Sequence, residues 1–245
     1  MTRGKVRAIL LGVTSGLLLT VTAVLLIPAG LVTLFRTRRL YARVATLLCR
    51  GILRLYGVRL RLHNQDGFPT GQTVYISNHS STLDLFILVA IGLPNCRFFL
   101  SGFLRKMIPL GIISWMMGTF FTVPQEFPDE RRRIFTRAGE TLKRTGESVY
   151  LSPEGGRIAD GSIGPFNKGA FHLATVLRVP IVPLYFRIPR QMDPGLGFDA
   201  RPGTVDIYVL PAIQTRDWSE AQVMDNKERV RDLFVRTHQE MQWAS

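Results

Sequence analysis

Residues 73–91 read TVYISNHSSTLDLFILVAI. The first part, Thr73–Ser77, is apolar and β-branched, which predicts a short buried strand. Small polar residues then interrupt the run. From Thr82 to Ile91 the chain is apolar without a turn signal, which predicts a helix. A buried strand feeding directly into a helix is the building unit of an α/β sheet. His79 stands where the strand runs out, and Asp84, five residues on, falls in the first turn of a helix that begins near Ser81 or Thr82.

Working outward, the same alternation continues. Strands are predicted over 59–63, 73–77, 96–100, 119–123, 148–152, 180–186 and 204–210, and helices over 82–91, 129–145, 168–177 and 219–243. The expected fold class is α/β: a mixed, largely parallel sheet flanked by helices, with an N-terminal membrane-associated helical segment. Residues 1–62 are assigned to membrane-embedded and interfacial helices, and 63–245 to the α/β domain. The stretch Gly102–Gly118 (GFLRKMIPLGIISWMMG) is apolar for a surface connection. It fits a core helix and a membrane-contacting or acyl-chain-lining surface equally well.

Charge is unevenly placed. Lys and Arg number 31 against 18 Asp and Glu, a net +13, and eleven of the bases precede the first acid, Asp66. Within that stretch lie 28 uncharged residues, between Arg7 and Arg36. A helix of roughly 20 apolar residues spans the hydrocarbon of a bilayer. The run is much longer than a signal-peptide core and lacks a clean cleavage site. Pro28 and Gly30 fit a dip into one leaflet as well as a full span. Lys and Arg flank both ends, so the positive-inside rule does not orient it. Leu40–Leu60, apolar at helical spacing beside Arg43, Arg50, Arg54 and Arg59, is expected to lie at the membrane interface. These bases bracket apolar sequence and no nucleic-acid signature accompanies them, so an anionic membrane surface is the expected partner, not nucleic acid. Cys49 and Cys96, distant and in apolar settings, point to reduced thiols, with neither a disulfide framework nor a metal site.

A histidine and an aspartate so spaced fit an acid–base pair. The carboxylate holds one ring nitrogen and leaves the other free to take a proton. The spacing alone arises often by chance, with a surface turn and a helix cap as its plain reading. Further on come Pro153-Glu154-Gly155-Gly156-Arg157 after a strand, Lys168 at a helix start, and Val179-Pro180-Ile181-Val182-Pro183. Adjacent glycines let backbone N–H groups approach an anion, and an arginine clamps phosphate. His63 reads as a strand-surface residue, His238 as an exposed position and His172 as a packed or substrate-adjacent side chain. Arg131-Arg132-Arg133 with Arg137 reads as a solvated helix face, or as a headgroup or carrier-protein contact.

Together, Asn78-His79…Asp84, the Pro153–Arg157 block, Phe166…Lys168-Gly169 and Val179–Pro183 resemble the 1-acyl-sn-glycerol-3-phosphate acyltransferase family, the glycerophospholipid acyltransferases with an N-H-x-x-x-x-D motif. The resemblance covers about Arg59 to Leu210. It implies transfer of a fatty acyl group from acyl-CoA or acyl carrier protein to the hydroxyl of a lysophospholipid, at a membrane, with no metal or cofactor. It implies His79 as the base, Asp84 as its orienter, and Glu154, Gly155, Gly156, Arg157 and Lys168 as substrate-binding residues, supported by Asn78. The expected location is the cell inner membrane, catalytic domain on the cytoplasmic side. Two departures stand out. Gly156 replaces the family's usual threonine, and Pro124 stands where an arginine of the second block helps hold phosphate. Glycerol-3-phosphate or a phosphate-free lyso-lipid as acceptor, a hydrolase using the same pair, and a non-catalytic lipid-binding protein remain open on the sequence.

Overall fold

The structure, a computed structural model, describes residues 3–243 except 159, 194, 196 and 198. In chain order the elements are α1 (Arg3–Val32), α2 (Arg38–Leu55), β1 (Val58–His63), β2 (Val74–Ser77), α3 (Leu83–Ile91), β3 (Cys96–Ser101), α4 (Gly102–Lys106), α5 (Leu110–Met116), β4 (Phe120–Thr122), α6 (Pro128–Thr145), β5 (Ser148–Leu151), α7 (Gly169–Leu177), β6 (Ile181–Arg187), β7 (Gly203–Val209) and α8 (Val223–Trp243). The strands form one sheet in the order β1-β7-β6-β2-β5-β3-β4. Every pairing is parallel except β6 with β7. The mixed, largely parallel sheet expected from the sequence is therefore present.

Side-chain alternation assigns the two faces. On β2, Val74 and Ile76 point into a core shared with Ala138, Leu142, Phe171 and Phe234 from α6, α7 and α8. Tyr75 points into the opposite core, with Tyr41, Ile52, Ile87 and Met116 from α2, α3 and α5. α3 leads from β2 to β3, on the far side of β5, while α7 leads from β5 to β6, on the far side of β2. The two crossovers run in opposite directions on opposite faces, so the carboxyl ends of β2 and β5 flank a crevice. This is a topological switch point, where open α/β sheets hold ligands. β6 and β7 are antiparallel neighbours, which a tight turn could join, yet residues 188–202 intervene.

α1 is, among the described residues, the helix long and apolar enough to cross a membrane, by length and composition. Ile9, Leu10, Val13, Leu17, Val24, Leu25 and Leu31 are exposed along it, whereas Ala23 and Leu26 pack into the domain core. α2 packs against the domain. The helix ends at Leu55 and its apolar stripe, Tyr41, Ala45, Cys49, Ile52 and Leu53, is turned inward. At the end of α3, Thr46 Oγ1 donates to Val89 O (3.0 Å), which also takes the Gly92 N–H, and Arg50 Nε donates to Ala90 O (2.8 Å). Leu40, Leu47 and Leu55 remain exposed. Gly102–Gly118 resolves into two short helices that serve both readings: Ile113, Met116 and Met117 are buried, while Phe103, Ile108 and Trp115 are exposed. Cys49 and Cys96 form no disulfide.

A carboxylate fastens α2 to the sheet. Glu147 Oε2 accepts from Arg97 Nε at 2.7 Å and from Arg38 Nη1 at 3.1 Å, with the Glu147 side chain 12% exposed. Arg97 also lies over the Phe120 ring, 5.3 Å from its centroid. Glu147→Ala leaves two guanidinium groups without this partner and is expected to lower stability by on the order of 3 kcal/mol. Glu147→Gln should cost less, because the amide oxygen still accepts. Thermal unfolding of the detergent-solubilised variants checks both, and equal melting temperatures for Glu147→Ala and the native protein would contradict the assignment.

Candidate active site

The catalytic candidates converge at the crevice between β2 and β5. Ser77 ends β2, and the chain turns through Asn78 to His79 before α3 begins at Leu83. Asn78 is held by both ends of its amide: Nδ2 donates to Phe186 O at 3.0 Å and Oδ1 accepts from Phe186 N at 2.8 Å. The side chain thereby continues the β2–β6 pairing one residue past the strand. It ties the turn to β6 with both ends of its amide engaged.

His79 Nδ1 and Asp84 Oδ2 lie 2.8 Å apart. An ionised carboxylate only accepts, so the Nδ1 hydrogen belongs to this bond and Nε2 keeps its lone pair. Asp84 Oδ2 also accepts from the backbone of Ser80 (2.8 Å) and Ser81 (2.9 Å), and Ser81 Oγ accepts from Leu83 N at 3.1 Å. The small residues between the pair thus build the turn that returns the carboxylate to the ring. Asp84 is 1% exposed and the His79 side chain 29% exposed, so the pair has a buried base and an open tip.

The Gly-rich loop after β5 closes over this turn. Ile158 N donates to His79 O at 2.9 Å, and His79 N donates to Glu154 Oε2 at 2.5 Å. Glu154 Oε1 accepts from Gly164 N at 2.8 Å. Sequence placed Glu154 among the substrate ligands; here its carboxylate is turned inward, with both oxygens committed to main-chain donors. Gly155 has a φ of +70°, and a Cβ there would come within 2.6 Å of Asn167 Nδ2, the group that donates to Glu154 O. Glycine is required at that position on both counts. Gly156 faces open space, with nothing within 4 Å of a built Cβ, so a larger side chain fits there.

Arg157 is exposed and its Nη1 donates to Thr82 Oγ1 at 2.5 Å, which sets the guanidinium at the start of α3, beside the pair. Thr82 in turn donates through N and Oγ1 to Gly195 O, each at 3.0 Å. Lys168 is exposed at the N-terminus of α7 and, among the described residues, its side chain forms no hydrogen bond or ion pair. Its charge, after partial burial, holds the His172 pKa below the ordinary histidine value. Pro124 follows β4; Arg131 Nη1 donates to Val123 O at 2.8 Å, and Gln125 Nε2 donates to Asn167 Oδ1 at 3.2 Å. Arg131 thus brings a guanidinium next to the position of the missing arginine. His63 pairs with Asp206 (2.8 Å) and stacks on Tyr208, away from the crevice at the β1–β7 edge. His238, expected to be exposed, is half-buried with Nδ1 2.8 Å from Tyr185 Oη. Among the described residues no His, Cys, Asp and Glu cluster suits a metal. The sequence missed Thr82, Ile158, Gly164 and Asn167, because their roles depend on how the loops close in space.

A buried His–Asp pair at a switch point, bounded by a Gly-rich loop and an arginine, meets a direct finding: the acyltransferase family model matches residues 59–187, more than half of the chain. The chain belongs to the acyltransferase family. This acyltransferase is 28% identical over 200 residues to human 1-acyl-sn-glycerol-3-phosphate acyltransferase alpha, covering 81% of this chain and 70% of that protein. It is 31% identical over 172 residues to the human beta protein (69% and 60%), and 28% over 193 residues to the 1-acyl-sn-glycerol-3-phosphate acyltransferase of Saccharomyces cerevisiae (78% and 63%). Its fold matches the 1-acyl-sn-glycerophosphate (LPA) acyltransferase PlsC of Thermotoga maritima, with a TM-score of 0.79 over 98% of both chains at 19% identity.

The electrostatics of Glu154 give a pH prediction. Burial is the largest influence and raises its pKa to about 7, against the lowering effect of the Gly164 and His79 N–H groups. The folded chain then holds a proton that the unfolded chain releases near 4.5. This contribution to stability is complete below about 4.5 and is lost as pH rises through about 7. Over the full window it amounts to on the order of 3 kcal/mol. Unfolding compared at pH 5, 6 and 7 should show Glu154→Gln improving relative to the native protein as pH rises. A pH-independent difference would refute the shift.

Proposed function

We propose that this acyltransferase moves a fatty acyl group from a thioester donor to the free hydroxyl of 1-acyl-sn-glycerol-3-phosphate, giving phosphatidic acid. The observation that carries the reading is the His79–Asp84 bond, which in the neutral ring assigns the lone pair to Nε2 of a partly exposed side chain. In this mechanism Nε2 takes the hydroxyl proton as the substrate oxygen attacks the thioester carbonyl. Asp84 stabilises the imidazolium that forms. The tetrahedral intermediate collapses with cleavage of the C–S bond, and the departing thiolate recovers the proton from Nε2. The donor supplies its own leaving group, so the step needs no covalent enzyme intermediate.

Arg157, exposed beside the pair, serves as the phosphate clamp, with Lys168 and Arg131 supplying further positive charge on adjoining elements. Acyl-CoA and acyl carrier protein both present the required thioester. The position of Pro124 makes the phosphate the point at which this acceptor assignment is tested against glycerol-3-phosphate and a phosphate-free lyso-lipid. The exposed apolar length of α1 and the basic residues that follow it support attachment to an anionic bilayer, here the cell inner membrane with the catalytic domain on the cytoplasmic side. The assigned division at residue 62 separates this anchor from the domain along the chain, although α2 shares the domain's core.

His79→Ala should lower kcat by about two to four decades while the protein still folds and binds membranes. Asp84→Asn should lose a large part of the rate, because it removes the charge facing the ring and can hold the wrong tautomer. Arg157→Ala should raise the acceptor KM by about one to two decades with little change in donor KM. Arg157→Lys should recover part of that loss. The measurement is acyl transfer by purified protein to lysophosphatidic acid, glycerol-3-phosphate and a phosphate-free lyso-lipid. Equal use of the phosphate-free acceptor, with Arg157→Ala indifferent, would move the function to a different substrate.

Membrane attachment should survive high salt and yield to detergent, since burial of apolar area is not screened by ions. Sedimentation of membranes washed in molar salt tests this. Release of the intact chain by salt alone would show that charge, not α1, holds it there.

A further inference from the structure

A charged side chain on the last helix reaches the site through two peptide units. Arg231, on α8, donates from Nη2 to Ile163 O at 3.2 Å and from Nε to Gly164 O at 2.8 Å. The Ile163 carbonyl and the Gly164 N–H belong to one planar peptide group. Gripping the carbonyl therefore aims the N–H, and the N–H points at Glu154 Oε1, 2.8 Å away. A positive charge on the carbonyl side also polarises the peptide and strengthens its donor. The other Glu154 oxygen is held the same way. Oε2 accepts from His79 N at 2.5 Å, and the carbonyl of that peptide group, Asn78 O, accepts from Ser77 Oγ at 2.9 Å. Glu154 is thus clamped between two peptide planes, one fixed by Arg231 and one carrying His79.

We propose that Glu154 and Arg231 are positioning residues for His79, and that Arg231, which lies outside the segment matched by the family, acts through Glu154. The inference rests on the reading of His79 as the general base. Glu154 has no oxygen left for substrate phosphate, so its contribution falls on the rate and not on acceptor binding. Displacing the ring by a fraction of an ångström weakens proton transfer steeply, because the reacting atoms must meet in line. Glutamine at 154 offers one oxygen and one NH2 to two N–H donors, so one of the contacts becomes repulsive.

The test uses the purified full-length chain in detergent with lysophosphatidic acid and one acyl-CoA. Glu154→Gln should lower kcat about tenfold to a hundredfold and leave the acceptor KM within about twofold. Arg231→Met should lower kcat about threefold to tenfold, and Arg231→Lys should restore part of it by keeping the charge and one donor. The double variant should be no slower than Glu154→Gln alone, since both substitutions break one path. A readout independent of turnover is the rate at which diethylpyrocarbonate modifies His79, followed by peptide mass spectrometry. It should change about threefold or more in Glu154→Gln and in Arg231→Met, with the rate at His63 unaltered. Multiplicative losses in the double variant, a raised acceptor KM with intact kcat in Glu154→Gln, or an unchanged His79 modification rate would each overturn the proposal. Failure of the native protein to acylate lysophosphatidic acid would refute the acceptor assignment instead, and the modification rates would still decide the positioning.

Discussion

The main chain of His79 is held on both sides by a loop from a neighbouring strand: its N–H goes to Glu154 and its carbonyl takes the N–H of Ile158. Neither bond can form unless β2 and β5 are adjacent, parallel and in the register that pairs Val74 with Val149. A slip of one residue would exchange the faces of β2, sending Tyr75 into the core that now holds Val74 and Ile76. The chemistry at the crevice is therefore conditional on packing two strands deep, and the two hydrophobic cores hold the register that the loop contacts require.

This explains which features could be read from the sequence. The strand–turn–helix around His79 is local: apolar alternation, small capping residues and an aspartate in the first turn lie within a single short stretch. The His79–Asp84 bond is local to that stretch, and the structure has it at 2.8 Å. The seven strands were readable because each is a short run, continuously apolar as in β2 or alternating apolar and polar as in β1. Glu154 was not readable in the same way. An acidic residue before two glycines looks like part of a ligand loop, and nothing local says that its carboxylate turns inward to the His79 and Gly164 amides. Arg231 carries no local sign at all, since its contacts lie 67 and 68 residues away.

The inward packing of α2 was not legible in the sequence for a related reason. Arginines beside an apolar stripe describe a helix at a lipid surface and a helix covering a domain core equally well. What turns α2 inward is its contact with the end of α3, where Thr46 and Arg50 donate to the Val89 and Ala90 carbonyls. Those acceptors belong to a partner helix forty or more positions along the chain, and hydropathy does not encode them.

The excursion between β6 and β7 has a consequence for how such an enzyme can diversify. Two antiparallel neighbours need only a few residues to connect, so most of residues 188–202 is surplus to the sheet. Gly195, within that surplus, meets Thr82 at the start of α3, next to the arginine that borders the crevice. Met192 and Ala200 are buried in the core and anchor the segment to β7, but between them length and composition can drift without disturbing a strand. Selection, or an engineer, therefore has a rim that can be recut for a new acceptor while the scaffold and its proton-transfer pair stay as they are.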